Sequence, residues 1–317
     1  MITLDDIRAA DSRVRERVHR TALLSSRTLA TRAGVSRVSL KCENLQKTGS
    51  FKVRGVLNKL SQLTAEERER GVVGFSAGNH AQALAWGAHA AGVRCTVVMP
   101  ATAPQSKVDA SRGYGATVIQ VPTSAEAFTR ARELTESDGF TFVHPFDDDA
   151  IIAGGGTVAL EILEQAERVD VLVVPVGGGG LIAGAAIALR TLSPNTRIVG
   201  VEPNGACGMR QSLDAGRPLT ITAPSSIADG LAAPMAGQHT FEILSRHVDD
   251  VVLVSDEEIG DAMTLILSRC KLLTEGAGAA ATAALLAGRV GAKPGDSVVV
   301  ILSGGNVDLS RVAQLAG

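Results

Sequence analysis

Residues 169–192 read Val169-Asp170-Val171-Leu172-Val173-Val174-Pro175-Val176-Gly177-Gly178-Gly179-Gly180-Leu181-Ile182-Ala183-Gly184-Ala185-Ala186-Ile187-Ala188-Leu189-Arg190-Thr191-Leu192. No residue from 171 to 189 is charged, so hydropathy alone suggests a membrane span. Pro175 and the glycine run break the stretch near its centre. A buried strand at 169–174, a glycine loop and a buried helix at 182–192 account for it better, and the chain is expected to be soluble, with no membrane partner. A nearly continuous apolar run, rather than an alternating one, marks a strand covered on both faces.

The same grammar runs through the chain. Apolar, β-branched runs at 38–42, 72–75, 95–99, 117–121, 197–201 and 298–302 read as strands. Residues 4–18 form an amphipathic opening helix, and Thr64 with Glu67, Thr123 with Glu126, and Ser255 with Glu258 make capping boxes at later helix starts. Strands separated by helix-length segments imply βαβ units, parallel sheets and an α/β fold. Residues 142–149, FVHPFDDD, break this rhythm. They are read as a crossing between domains, giving a large domain at 1–43 plus 146–317 and a small one at 44–145. The acidic triplet is read as a solvated loop rather than a metal site.

Composition narrows the function. Of 317 residues, 45% are hydrophobic, 3% aromatic and 20% charged, with Gly 34, which suits a large aliphatic core and many glycine-dependent backbone sites. A net charge of -2 leaves no basic footprint for nucleic acid. Cys42, Cys95, Cys207 and Cys270 are scattered without a CxxC pair, which argues against zinc and disulfides and places the chain in a reducing cytoplasm. Asp5, Asp6 and Arg8 interrupt the first residues, so no secretory signal is expected.

Sites in open α/β folds gather beyond the carboxyl ends of strands. Ser76-Ala77-Gly78-Asn79-His80 follows one strand and leads into a helix expected at 83–91, whose first N–H groups can hold a carboxylate; Ser76 and Asn79 also read as plain helix caps. Gly177, Gly178, Gly179, Gly180 and Leu181 suit a phosphate. Gly178, Gly180 and Ala183, with Glu202 about 20 residues on, also fit a loose dinucleotide fingerprint, so a nicotinamide enzyme is a rival here. Ser303, in Leu302-Ser303-Gly304-Gly305-Asn306-Val307-Asp308, offers a neutral hydroxyl to a ligand nitrogen or an ordinary turn cap. Lys52 follows a turn signal, between Phe51 and Val53. On those residues alone it is a surface lysine at a loop-to-helix junction.

In order, the motifs NLQKTGSFKVRG (44–55), SAGNHAQA (76–83), VPVGGGGLIAG (174–184) and LSGGNVD (302–308) closely resemble the pyridoxal-phosphate-dependent threonine/serine dehydratases, relatives of serine racemase. The resemblance runs from near residue 20 to the closing LSRVAQLAG. It implies fold type II, like the tryptophan synthase β-subunit: two open, twisted parallel-sheet domains with pyridoxal 5'-phosphate between them. Lys52 would form the Schiff base and remove the Cα proton, and Phe51 would lie along the ring. Asn79 would reach the phenolic oxygen, Gly177 to Leu181 the phosphate, and Ser303 the pyridine nitrogen. Ser76, Ala77, Gly78, Asn79 and His80 would take the substrate carboxylate, and Glu275 would lie near the ring.

The implied reaction is β-elimination of L-threonine, L-serine or a related 3-hydroxy amino acid to a 2-keto acid and ammonia. Racemases of the family carry serine where this chain has Ala77, which favours a dehydratase. Glu202 and the Ala206 carbonyl match part of a family cation site, monovalent or divalent, but Gly208 stands where an aspartate is expected. A homodimer is implied, and the chain ends too soon for an appended regulatory domain. Racemase activity, an NAD-binding oxidoreductase and a non-catalytic binder of a phosphate ligand stay open as alternatives.

Overall fold

The computed structural model describes residues 2–316; Met1 and Gly317, the outer ends of the expected large domain, lie outside the described residues. Ten strands form two sheets: β1 Leu23–Ser25, β2 Arg37–Lys41, β3 Val72–Phe75, β4 Cys95–Pro100, β5 Thr117–Val121, β6 Thr141–Phe142, β7 Val171–Pro175, β8 Arg197–Pro203, β9 Asp250–Val254 and β10 Ser297–Ile301. A six-stranded sheet runs β1-β2-β10-β7-β8-β9, and a four-stranded sheet runs β5-β4-β3-β6. Among the strands of the described residues only β1 is antiparallel to its neighbour, pairing Leu23 with Lys41.

The stretch 169–192 resolves as expected into β7, the glycine loop and the helix Gly180–Leu192. Alternate residues of β7 feed two separate apolar clusters: Leu172 and Val174 one, Val171 and Val173 the other. The strand is therefore covered on both faces, which is why its sequence shows no polar alternation. Among the described residues no helix is long and apolar enough to cross a membrane.

Some boundaries move. The opening helix ends at Val14, four residues early, because hydrogen-bonded turns replace it while Val18 stays buried. The capping boxes at Thr64 and Ser255 form as read. At Thr123 only half forms: its hydroxyl accepts the Glu126 N–H, but the Glu126 carboxylate bonds that hydroxyl instead of the backbone. The aspartates of 147–149 are structural. Asp148 caps the helix Asp149–Gln165, and Asp147 accepts the N–H groups of Gln238 and Thr240.

Glycines set the distances between helices. A Cβ at Gly184 would lie 2.3 Å from the Ile152 carbonyl oxygen, and one at Gly154 would lie 2.5 Å from the Gly55 Cα. The helix Asp149–Gln165 is thus pressed against Gly180–Leu192 on one side and Lys52–Ser61 on the other. Gly184→Ala is expected to destabilise the protein by about 1–3 kcal/mol through overpacking, outweighing a helix-propensity gain of up to ~1 kcal/mol. Gly295→Ala, where an added Cβ meets nothing within 4 Å, should stay within about 0.5 kcal/mol of wild type. Urea midpoints compare the two.

Candidate active site

Because β10 lies between β2 and β7, and all three are parallel, the loops leaving their carboxyl ends meet on one sheet edge. The loop after β10 locks onto the segment before Lys52. The Phe51 N–H bonds the Ser303 carbonyl at 3.1 Å, the Gly305 N–H the Gly49 carbonyl at 2.9 Å, and Asn306 Nδ2 the Thr48 carbonyl at 2.7 Å. This joins residues some 250 positions apart (306 − 48 = 258). Thr48 and Gly49 both have positive φ, 60° and 75°, and a Cβ on Gly49 would collide with Asn306.

Lys52 is the first residue of the helix Lys52–Ser61. Its Nζ donates to the Pro145 carbonyl at 2.8 Å and lies 5.1 Å from the Phe51 ring centroid. The residue keeps partial accessibility, yet burial of the amine pushes its pKa down to about 8, against the opposing pull of Glu275. A lysine reacts as a nucleophile or base through its neutral form, and desolvation supplies that form. The surface-lysine reading of Lys52 does not hold.

The 76–80 loop follows β3, and the helix Asn79–Ala90 starts four residues earlier than expected. Neither polar residue caps it. Gly78 is the N-cap with no side-chain bond, while Ser76 Oγ accepts the Gly78 N–H at 3.0 Å within the turn. Asn79 is committed elsewhere. Its Nδ2 donates to Glu275 Oε1 at 2.6 Å, and its Oδ1 accepts from Asn306 Nδ2 at 2.9 Å. His80 is buried, with Nε2 3.1 Å from the Val143 carbonyl, and burial lowers its pKa to about 3, keeping it neutral. Ala77 packs against the apolar core of the smaller sheet.

The glycine loop is compressed on every side. Gly179 sits at φ +92°, and a Cβ on Gly178 would lie 2.2 Å from the Phe146 ring. The helix Gly180–Leu192 that leaves this loop also starts without a side-chain cap, so its first N–H groups have no partner inside the helix. Ser303 is buried and its hydroxyl donates to the Ala277 carbonyl at 3.3 Å.

Sequence reasoning missed two contributors. Residues 144–146, after the two-residue strand β6, bring the Lys52 acceptor and the wall of the glycine loop; His144 Nδ1 accepts the N–H groups of Phe146 and Asp147 and shapes that turn. Lys107, nearly buried, pairs with Asp229 at 2.7 Å and would lie 3.3 Å from a Cβ on Gly78. Lys107 is the third residue of the helix Gln105–Gly113, and a lone lysine there carries no signal that would single it out. Glu202 was expected at a dinucleotide ribose or a cation. Its two oxygens accept the N–H groups of Met209 and Arg210 at 2.9 and 2.8 Å, capping the next helix, and burial raises its pKa to about 7. Among the described residues, no cluster of three or more His, Cys, Asp or Glu is placed to hold a metal.

Two uncapped helix starts connect to one desolvated amine, the first through Phe146 next to the Lys52 acceptor Pro145 and the second through Glu275, which bonds Asn79. Buried atoms without partners surround them: Ser50 Oγ, Thr48 Oγ1, His80 Nδ1 and Glu275 Oε2. Unpaired buried polar atoms are costly, so their concentration here suits a polar, anionic, carbonyl-bearing group. A family model described as pyridoxal-phosphate dependent enzyme matches residues 14–304. The chain belongs to that family. It is similar to the L-threonine ammonia-lyase of Thermotoga maritima, 44% identical over 316 residues, covering 99% of this chain and 78% of that protein. Among solved structures, serine racemase from Dictyostelium discoideum superposes with TM-score 0.90 at 41% identity, covering 97% of this chain and 99% of that one. Threonine deaminase isoform 2 from Solanum lycopersicum gives TM-score 0.92 at 38% identity, covering 99% and 92%. The fold is that of these enzymes, and the nicotinamide reading of the glycine loop is set aside.

Glu275 makes the site's electrostatics testable. Burial raises its pKa from 4.5 to about 7, opposed by Lys107. Between those values the folded state binds more proton than the unfolded chain, so stability falls as pH rises through the window and the full loss is present above pH 7. Apoprotein carrying Glu275→Gln should therefore show a higher urea midpoint than wild type at pH 8. The gap should close as pH falls below 4.5.

Proposed function

We propose that the chain is a pyridoxal-phosphate-dependent dehydratase that eliminates the β-hydroxyl of L-threonine, L-serine or a related 3-hydroxy amino acid, releasing a 2-keto acid and ammonia. The observation that carries the reading is the desolvated Lys52 amine, bonded to the Pro145 carbonyl beside the Phe146 that packs on Gly178 and Gly180 at one uncapped helix start, and acted on by Glu275, which accepts from Asn79 at the other. One start suits a phosphate and the other a carboxylate. The names of the Thermotoga and tomato relatives point to the same chemistry.

Pyridoxal phosphate, when bound, supplies an electron sink for negative charge at the substrate's Cα. The backbone of Gly177, Gly178, Gly179, Gly180 and Leu181 would hold its phosphate, Phe51 and Asn79 its ring, and Ser303 its ring nitrogen as a neutral partner. Lys52 would anchor it covalently. With the substrate in place the Lys52 amine would take the Cα proton as general base, a task for which a pKa near 8 is suited. Ser76, Ala77, Gly78, Asn79 and His80 would position the substrate carboxylate. The β-hydroxyl would leave as water, and uptake of one water on hydrolysis would release the 2-keto acid and ammonia.

Ala77 has no proton to return to Cα, which favours elimination over racemisation although racemases share the fold. The division into 1–43 plus 146–317 and 44–145 is supported by the two separate sheets. A homodimer in the cytoplasm completes the proposal. A monovalent or divalent cation at Glu202 and the Ala206 carbonyl belongs to the proposal, since each Glu202 oxygen accepts a single N–H and keeps a second lone pair, although Gly208 stands where a further ligand would be expected. Lys52→Ala should lower keto-acid release from threonine or serine by at least about 10²–10⁴-fold while cofactor still binds weakly; retained turnover removes Lys52 from the mechanism. Ala77→Ser should introduce measurable racemisation of serine by chiral chromatography. Wild type racemising as fast as it eliminates would defeat the Ala77 argument.

A further inference from the structure

Four charges are buried together behind Lys52. Arg54 is fully buried; its Nε and Nη2 donate to Glu43 at 2.7 and 2.8 Å, and its Nη1 to Glu161 at 2.7 Å and Thr157 at 3.3 Å. Lys41, also fully buried, donates to the other Glu161 oxygen at 2.6 Å, to Gln165 at 2.9 Å and to the Thr21 carbonyl at 2.9 Å. Thr21 in turn donates to Glu43 at 2.6 Å. Two cations and two carboxylates balance, and each carboxylate oxygen has a named partner. Burial alone would raise the Glu161 pKa, but hydrogen bonds and charge from Arg54 carry it below its ordinary value.

Buried ion pairs are a poor device for stability, since well-packed apolar residues often do as well or better. Their use here follows from where they sit. Successive helical residues turn by about 100°, so Lys52 and Arg54, two apart, leave the helix on opposite sides. Asn58 Nδ2, bonded to the Ala150 carbonyl at 2.8 Å, and Lys59, paired with Asp148 at 2.6 Å, pin the far end of the crossing with Asp149–Gln165; beyond the close Gly55–Gly154 contact, at the Lys52 end, Arg54 spans to Thr157 and Glu161 and resists rotation there. A rotation of about 20° would move atoms at the ~6 Å outer radius by about 2 Å. Misplacement by ~1 Å is enough to reduce turnover by about 10²-fold. On the far side the quartet grips β2 and the turn after it: Lys41 ends β2, Glu43 follows, and the Leu302 N–H bonds the Lys41 carbonyl at 3.0 Å, one residue before Ser303.

We propose that Arg54, held by Glu43 and Glu161 and backed by Lys41, is a positioning residue: it sets the rotation of the Lys52 helix against the strands that carry Ser303, and so fixes where the Lys52 amine stands relative to the ring nitrogen's partner. The proposal rests on the functional reading above and deepens it.

Two variants test it. Arg54→Lys keeps the charge and loses the planar fork. Lys41→Met/Glu43→Gln/Arg54→Met/Glu161→Gln removes all four charges together and strands none. Both are to be purified with pyridoxal phosphate and compared with wild type for bound cofactor, urea midpoint, kcat, KM for threonine, and the pH midpoint of the absorbance of the lysine-bound cofactor. The expected result is full cofactor occupancy, KM within about threefold, kcat lowered by about 10- to 100-fold, and a shifted pH midpoint in both. A folded, loaded variant with wild-type kcat and pH midpoint overturns the proposal, and so does failure of both to fold, which would assign the quartet to stability alone. Wild type without a lysine-bound absorbance would instead strike at the functional reading.

Discussion

Parallel strands deliver their outgoing loops to a single edge, and the site depends on that constraint. β10, near the end of the chain, inserts between β2 and β7. This one insertion places the Ser303 loop beside the segment that enters Lys52 on one side and beside the glycine loop on the other. In the smaller sheet the β3–β6 pairing does the same work, setting residues 76–80 beside Pro145 and Phe146. The two edges face each other across Lys52, whose amine belongs to a helix packed with the smaller sheet's core but bonds a carbonyl in the crossing segment.

The features that make this cleft reactive are the ones that a purely structural design would remove. The helix starts at Asn79 and Gly180 lack side-chain caps, Thr48 Oγ1, Ser50 Oγ, His80 Nδ1 and Glu275 Oε2 are among the buried side-chain atoms without partners, and Lys52 and Glu275 are held away from their ordinary pKa values by burial. Each is a local loss that tertiary packing has to offset. Away from the site, Glu202 caps a helix with both oxygens, Asp148 caps another, and the buried charges around Arg54 are matched. Unsatisfied groups are concentrated where a ligand would satisfy them.

Much of this was legible in the residues. The uninterrupted apolar runs identified buried parallel strands, because a strand covered twice cannot alternate. The loops at 76–80, 177–181 and 302–308 announced themselves through small polar residues and glycines placed after strands. What could not be read depends on contacts distant in sequence. Nothing local shows that Asn79 abandons its helix to bridge Glu275 and Asn306, or that Lys107 reaches Asp229. β6 has only two residues and carries no strong pattern, whereas β9, DVVLV at a sheet edge, is an apolar β-branched run as legible as the strands named from sequence. Glu202 matched two ligand motifs by spacing, yet its partners are N–H groups seven and eight residues on, an arrangement that spacing does not distinguish.

The central claim is that burial and two opposed helix starts make Lys52 the residue that holds the cofactor. Reducing the pyridoxal-phosphate-loaded protein with borohydride, digesting it and locating the pyridoxyl group by mass spectrometry tests this directly. The account predicts a single labelled lysine, Lys52, in the peptide containing Phe51. Label on Lys107, Lys47 or any other lysine, or a protein that takes up no cofactor to reduce, would contradict it.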